Sequence, residues 1–281
     1  MSLEKISSNG FFHIVALDHR ESLKKIIKPE NPEEVSRKNL ESIKLKFSKI
    51  FSSQASGILL DPIYGRPAMN SIKHKCGLLI SLEESGYEET KEGRLTCLIK
   101  NFGPKEAKGL GADAAKLLIY FNPKTKTARQ QKKLVKEVSE KCKDVGLPFV
   151  CEFLVYPFRE KDFEKEKSKL ILSSAKVISR LGIDLLKTEF PGRLGIDERE
   201  KIESNCKKLT RLSKVPWVLL SRGIDFYQFK EQLKISIEFG ASGFMVGRAL
   251  WQDYFSLGKK REDFLKKVCL KRLEELKEIA S

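Results

Sequence analysis

The chain has 281 residues, 41% hydrophobic and 33% charged, a balance that excludes a disordered polymer and allows two small domains or one α/β barrel of about 250 residues. Its 54 Lys and Arg against 38 Asp and Glu give a formal net charge of +16, which raises nucleic acid, an anionic membrane and an anionic small molecule as partners. Nowhere do about 18 apolar residues run together and the N-terminal stretch has no long apolar core, so neither a membrane span nor a secretion signal is expected and the protein is expected to be cytoplasmic.

In chain order, short apolar runs alternate with segments of helical period. "HIVAL" (13–17) leads to a helical pattern over 33–51; "GILL" (57–60) to one over 67–74; "GLLIS" (77–81) to one over 103–110. "AKLLIYF" (115–121) precedes 124–146, "PFVCEFLVY" (148–156) precedes 160–182, and "DLLKTEF" (184–190) precedes 197–213. "PWVLLS" (216–221) is followed by 225–239, and "GFMVG" (243–247) by 248–256 and an amphipathic helix near 261–279. That last helix, with Phe264, Leu265 and Leu273, is expected to cap the fold or to form an interface between copies, so a homo-oligomer is an open expectation.

Strands apolar on both faces that alternate with helices call for a parallel sheet, and eight such units close a (β/α)8 TIM barrel, here as a single domain over 1–281. An open doubly wound sheet is the second choice. It lacks the Gly-rich dinucleotide fingerprint after the first strand.

The densest basic stretch, 124–143, sets its lysines opposite apolar Leu134, Val135 and Val138, as a wet helix face does, so nucleic acid is not the expected partner. The six cysteines, 76, 97, 142, 151, 206 and 269, have neither C-x-x-C spacing nor metal-ligand spacing with histidine. They read as small core residues in a reducing compartment.

Barrel active sites form at the C-terminal ends of strands. There the sequence places Asp18, His19 and Arg20, then Asp61, Glu83 and Glu84, Lys116, Glu152, Lys187 with Glu189, Ser221-Arg222-Gly223, and Gly247-Arg248. Side-chain alternation puts Lys116 with Leu118 and Tyr120, Glu152 with Leu154, and Lys187 with Leu185 and Glu189. One buried Lys–Glu pair alone is equally well a structural ion pair, but two lysines, a glutamate and Asp18 at one end of the barrel favour a reactive cavity.

A lysine nucleophile attacks as the neutral amine, and desolvation with a neighbouring cation, here Lys116 beside Lys187, favours that form. Attack on a ketone gives a Schiff base, an electron sink that makes the adjacent C–C bond breakable. Glu152, on the preceding strand, is placed to move the protons, and Asp18 to orient hydroxyls. Neither a metal nor an organic cofactor is needed. The glycines of "SRGID" and "VGRALW", with Ser221 and Arg248, suit a phosphate, so the expected partner is a phosphorylated sugar.

The motifs "ALDHRESLKKII", "LLDPIYGRPA", "EESGYEETKEGRLT", "GADAAKLLIYFNP", "CEFLVYP", "DLLKTEFP", "PWVLLSRGID" and "GASGFMVGRALW" run through nearly the whole chain. In them the sequence resembles the class I tagatose-1,6-bisphosphate aldolases and the related sulfofructosephosphate aldolases. The resemblance implies a metal-independent barrel aldolase releasing dihydroxyacetone phosphate, with Lys187 as Schiff-base lysine, Glu152 as acid/base, and Asp18 and Lys116 beside them. Ser221, Gly223, Gly247 and Arg248 match the C1-phosphate positions. Two residues depart from the family pattern: His19 stands in place of glutamine and Arg222 in place of a small residue.

With Arg20, the two departures would add charge for a second phosphate or a sulfonate, unless Arg222 points outward. Rival readings are a deoxyribose-phosphate aldolase or transaldolase, and a sugar-phosphate-binding regulator without turnover.

Overall fold

The computed structural model describes all residues except 73, 74, 160, 161, 259 and 260, and the side chain of 262. In chain order the strands are β1 (Phe12–Ala16), β2 (Gly57–Leu60), β3 (Gly77–Ser81), β4 (Glu88–Thr90), β5 (Gly93–Leu95), β6 (Ala114–Tyr120), β7 (Phe149–Leu154), β8 (Leu185–Thr188), β9 (Trp217–Leu220) and β10 (Gly243–Val246). β4 and β5 pair only with each other; the other eight are parallel and close in the order β1-β2-β3-β6-β7-β8-β9-β10. Closure explains the apolar runs. One face of each strand fills the barrel, and the other lies under helices.

The inner face carries Ile14, Ala16, Leu59, Leu79, Ala114, Val150, Leu185, Val218 and Met245, which form one packed cluster. A second cluster between strands and helices includes Val15, Ile58, Leu117, Phe149, Cys151 and Phe244. Ile6, on a 3-10 turn at Glu4–Ile6, joins the inner cluster with Leu3 packed against it, and this turn stoppers the N-terminal end of the barrel. A side chain at Gly77 would strike the Lys5 carbonyl and Ile6, which explains glycine at the start of β3.

The helices that cover the strands are α1 (Glu21–Ile27), α2 (Arg37–Phe51), α3 (Arg66–Met69), α4 (Pro104–Gly109), α5 (Thr127–Asp144), α6 (Phe163–Ile178), α7 (Arg199–Leu212) and α8 (Phe226–Glu238). After β10 come α9 (Arg248–Trp251), a 3-10 turn at Gln252–Ser256, α10 (Arg261–Phe264), a π turn at Leu265–Cys269, and α11 (Leu270–Ile279). α11 lies against α8 with Leu273 and Leu276 buried. The final helix therefore belongs to the outer ring, and the N-terminal turn does the capping expected of it.

The helix expected over 33–51 breaks into a 3-10 turn at Pro32–Glu34 and α2, because Ser36 makes a capping box with Asn39 and starts the helix anew. Residues 73, 74, 160 and 161 of the helices expected over 67–74 and 160–182 lie outside the described residues; the helices described are shorter than expected, α3 ending at Met69 and α6 at Ile178. In α5, Val135 and Val138 are buried while Lys133, Lys136, Lys141 and Lys143 are exposed, as for a solvated face. Five cysteines are buried and Cys97 is exposed, which corrects its reading as a core residue.

Candidate active site

Strand register brings the charged residues together. Glu152 of β7 lies directly beside Lys187 of β8, while Lys116 of β6 pairs with Val150, one inward layer lower. They surround a cavity of about 350 Å³ at the C-terminal ends of the strands. Lys187 Nζ is 2.9 Å from Glu152 Oε2, and Lys116 Nζ is 2.9 Å from the same oxygen. Lys116 also lies 2.8 Å from Asp18 Oδ2 and 2.5 Å from Glu83 Oε1. All five side chains are buried or nearly so: Lys116 is 1% exposed, Lys187 4% and Glu152 7%.

Burial alone would strip the proton from Lys116, but Asp18, Glu152 and Glu83 hold its pKa well above the ordinary lysine value, so it is a fixed cation. Burial works against ionised Asp18 and Glu152 too. Lys116 and Lys187 outweigh it and keep both carboxylates below their usual values. At Glu83 burial wins over Lys116 and the pKa is raised. The site thus contains carboxylates pushed in opposite directions around one fixed cation.

His19 is a correction to the charge expected of it. Burial pushes its pKa down to about 3, with Arg248 and Lys187 adding to the effect against Asp18, so the ring is neutral at pH 7. It stands edge-on to Trp251 at 5.3 Å, and its Cε1 lies where a side chain at Gly247 would begin, 2.6 Å away. Glycine at 247 makes room for the imidazole.

Arg20 is 5% exposed and donates from Nη2 to the Glu83 carbonyl at 2.5 Å; its Nε and Nη1 have no hydrogen-bond partner among the described residues. Arg222 is exposed on the cavity rim and ion-pairs with Glu189. Arg222 and Gly223 have φ of 48° and 84°, and Ile224 N–H closes their turn on Ser221 O at 3.1 Å. Two left-handed residues in succession explain why a small residue is expected at 222.

Ser221, Gly247 and Arg248 line the cavity, whereas Gly223 stands behind Arg248, where a Cβ would come 2.8 Å from the guanidinium carbon. Arg248 Nε is buried without a hydrogen-bond partner among the described residues. Glu189 does not share the cavity as alternation suggests. Beyond the end of β8 it turns to accept from Val155 N–H at 2.8 Å and to pair with Lys167 and Arg222.

Glu83 and Tyr120 line the cavity without having been singled out as site residues. For Glu83 the signal was alternation, which continues from Leu79 and Ser81 past the end of β3. For Tyr120 it was the shared face with Lys116. Burial and the Glu152 charge raise the Tyr120 pKa, which keeps its hydroxyl protonated.

A lysine amine held against a carboxylate, in a chamber the size of a small sugar and roofed by arginines, is equipment for breaking carbon–carbon bonds, and the class of protein is an aldolase. The sequence model of the DeoC/LacD family aldolases matches residues 12–253, and the chain belongs to that family. It is 29% identical to the tagatose 1,6-diphosphate aldolase of Staphylococcus aureus strain MSSA476, over 99% of this chain and 94% of the relative.

The fold is that of a Schiff-base-forming fructose-1,6-bisphosphate aldolase (TM-score 0.69, 18% identity, 99% of this chain and 98% of the other). It is also that of the fructose-bisphosphate aldolase of Plasmodium falciparum (TM-score 0.76, 19% identity, 99% and 92%).

Proposed function

We propose that the protein reversibly cleaves a ketose 1-phosphate with a second anionic group at C6 into dihydroxyacetone phosphate and a three-carbon aldehyde. Candidate substrates are tagatose or fructose 1,6-bisphosphate and sulfofructose 1-phosphate. The observation that carries this reading is Glu152 Oε2, which lies 2.9 Å from Lys187 and 2.9 Å from Lys116.

The Glu152 carboxylate takes a proton from the Lys187 ammonium group, the neutral amine attacks the C2 carbonyl, and Glu152 returns that proton as the carbinolamine loses water. The resulting iminium accepts the electron pair of the C3–C4 bond as the Glu152 carboxylate takes the proton of the C4 hydroxyl, so the aldehyde departs and an enamine remains. Protonation at C3 and hydrolysis release the ketone and restore the amine. Lys116, fixed as a cation, keeps Glu152 ionised between transfers, and Asp18 accepts from a substrate hydroxyl. Arg248, with an unpaired buried Nε beside Ser221, suits the C1 phosphate. Arg20, buried, with an Nε that has no hydrogen-bond partner among the described residues and an Nη1 3.7 Å from Glu84 Oε2, suits the C6 anion, and Arg222 adds charge at the rim. The S. aureus relative, a tagatose 1,6-diphosphate aldolase, supports a bisphosphorylated substrate.

The test is borohydride reduction in the presence of dihydroxyacetone phosphate, followed by intact and peptide mass spectrometry. A stable adduct on Lys187, absent from Lys187→Ala, is expected; a folded wild-type protein that gives no adduct overturns the mechanism. A panel of ketose bisphosphates, sulfofructose 1-phosphate and deoxyribose 5-phosphate then identifies the substrate, with deoxyribose cleavage alone overturning the proposed class.

A further inference from the structure

Lys44 is a charged residue on the buried stripe of α2, in line with Leu40, Phe47, Ser48 and Phe51, and it is 1% exposed. It does not line the cavity. Its ammonium group donates outside the barrel wall to the Leu17 carbonyl and to the His19 carbonyl at 2.8 Å, and it forms an ion pair with Asp61 Oδ2 at 2.7 Å. Asp61 is fully buried, and its other oxygen accepts from the N–H groups of Ile63 at 2.9 Å and Tyr64 at 2.8 Å. The ammonium thus ties the exit of β1 to the exit of β2.

The position of that tie matters. β1 ends at Ala16, whose partner Leu59 is the last register pair with β2, so Asp18 and His19 lie beyond the sheet ladder. Leu17 N–H reaches Leu59 O at 2.8 Å, and past that point Lys44 supplies the anchor. Pinning the carbonyls of 17 and 19 fixes the backbone on both sides of Asp18, whose carboxylate meets Lys116 at 2.8 Å inside the barrel. His19, whose carbonyl takes one of these bonds, packs edge-on against Trp251.

We propose that Lys44 is a positioning residue for the aldol step, holding Asp18 and His19 in the cavity from behind the barrel wall; this rests on the reaction proposed above. The alternative is a buried ion pair that serves the fold alone. Removing one partner would strand the other charge, so the informative variant removes both: Lys44→Met with Asp61→Asn, the asparagine keeping an oxygen for the two loop N–H groups.

Three quantities are measured on the intact chain: the melting temperature, the borohydride adduct of dihydroxyacetone phosphate on Lys187, and kcat and KM for ketose bisphosphate cleavage. A cooperatively folded variant with a lowered melting temperature, because methionine leaves the Leu17 and His19 carbonyls without their donor, a retained adduct, and kcat lower by about 10- to 100-fold with a much smaller change in KM are expected. An unchanged kcat overturns the inference, and so does loss of the fold, because the contacts then serve stability. A folded variant without the adduct also overturns it, since the pair would then act through Lys187. If wild type itself gives no adduct, the proposed reaction fails instead, and the two failures are distinguishable.

Discussion

Glu152 serves two lysines through one oxygen, so protonating it releases both ammonium groups from the same partner at once. Glu152→Gln keeps the shape and removes the proposed proton carrier; kcat for cleavage is expected to fall by about 10²- to 10⁴-fold, read by steady-state kinetics with the fold checked by circular dichroism. At the end proposed for the C1 phosphate, Gly223→Ala puts a methyl group 2.8 Å from the Arg248 guanidinium carbon at a φ of 84°. The expected result is a higher KM for phosphorylated substrate and a stability loss of about 1 kcal/mol, measured by denaturant titration. Lys116, Glu152 and Lys187 were legible because strand alternation fixes which residues share a face. Glu189 was misread by the same rule, because alternation lapses where β8 ends and a backbone N–H recruits the carboxylate. Lys44 was not legible: nothing in a helical pattern distinguishes a lysine on the buried stripe from its solvated neighbours until the acceptors are known.

The barrel strands were legible as elements, since each is a run of apolar residues bounded by polar turns, and β2 and β3 have the expected limits. The β4–β5 hairpin was not, because "EETKEGRL" is polar and its order comes from contacts distant in sequence. Arg94 lies between the rings of Tyr87 and Tyr156, at 4.2 and 4.7 Å from their centroids, and Arg94 N–H donates to the Tyr156 hydroxyl at 2.9 Å. Tyr87 in turn packs edge-on at 4.5 Å against Tyr120, a cavity residue, so the hairpin is coupled to the active site through aromatic contacts. Arg94→Ala is expected to cost about 1 kcal/mol and to speed amide hydrogen exchange across 88–95 by roughly fivefold, with the barrel strands unaffected. Protection unchanged in the hairpin would show that the stack does not hold it.

Across the whole molecule, His13 and His19 are both held neutral by burial. A folded-state pKa below the unfolded value means that the unfolded chain binds the proton first, so stability is present near pH 7 and is lost as pH falls below about 6.5. For His19, pushed down to about 3, the loss amounts to about 2 kcal/mol by pH 5. Glu83, raised by burial, works in the opposite direction, so the comparison of wild type with His19→Gln isolates the histidine: the variant is expected to show the flatter stability profile between pH 7 and 5. The +16 net charge is carried on solvated faces such as that of α5, and binding to double-stranded DNA is expected to vanish at about 0.15 M salt. Leu3 and Ile6 close the N-terminal end of the barrel, and the cavity lies at the opposite end, where the strands finish. On the proposed chemistry the aldehyde departs while its sister fragment is still bonded to Lys187, so the ketone phosphate always leaves last and, in the synthetic direction, always enters first.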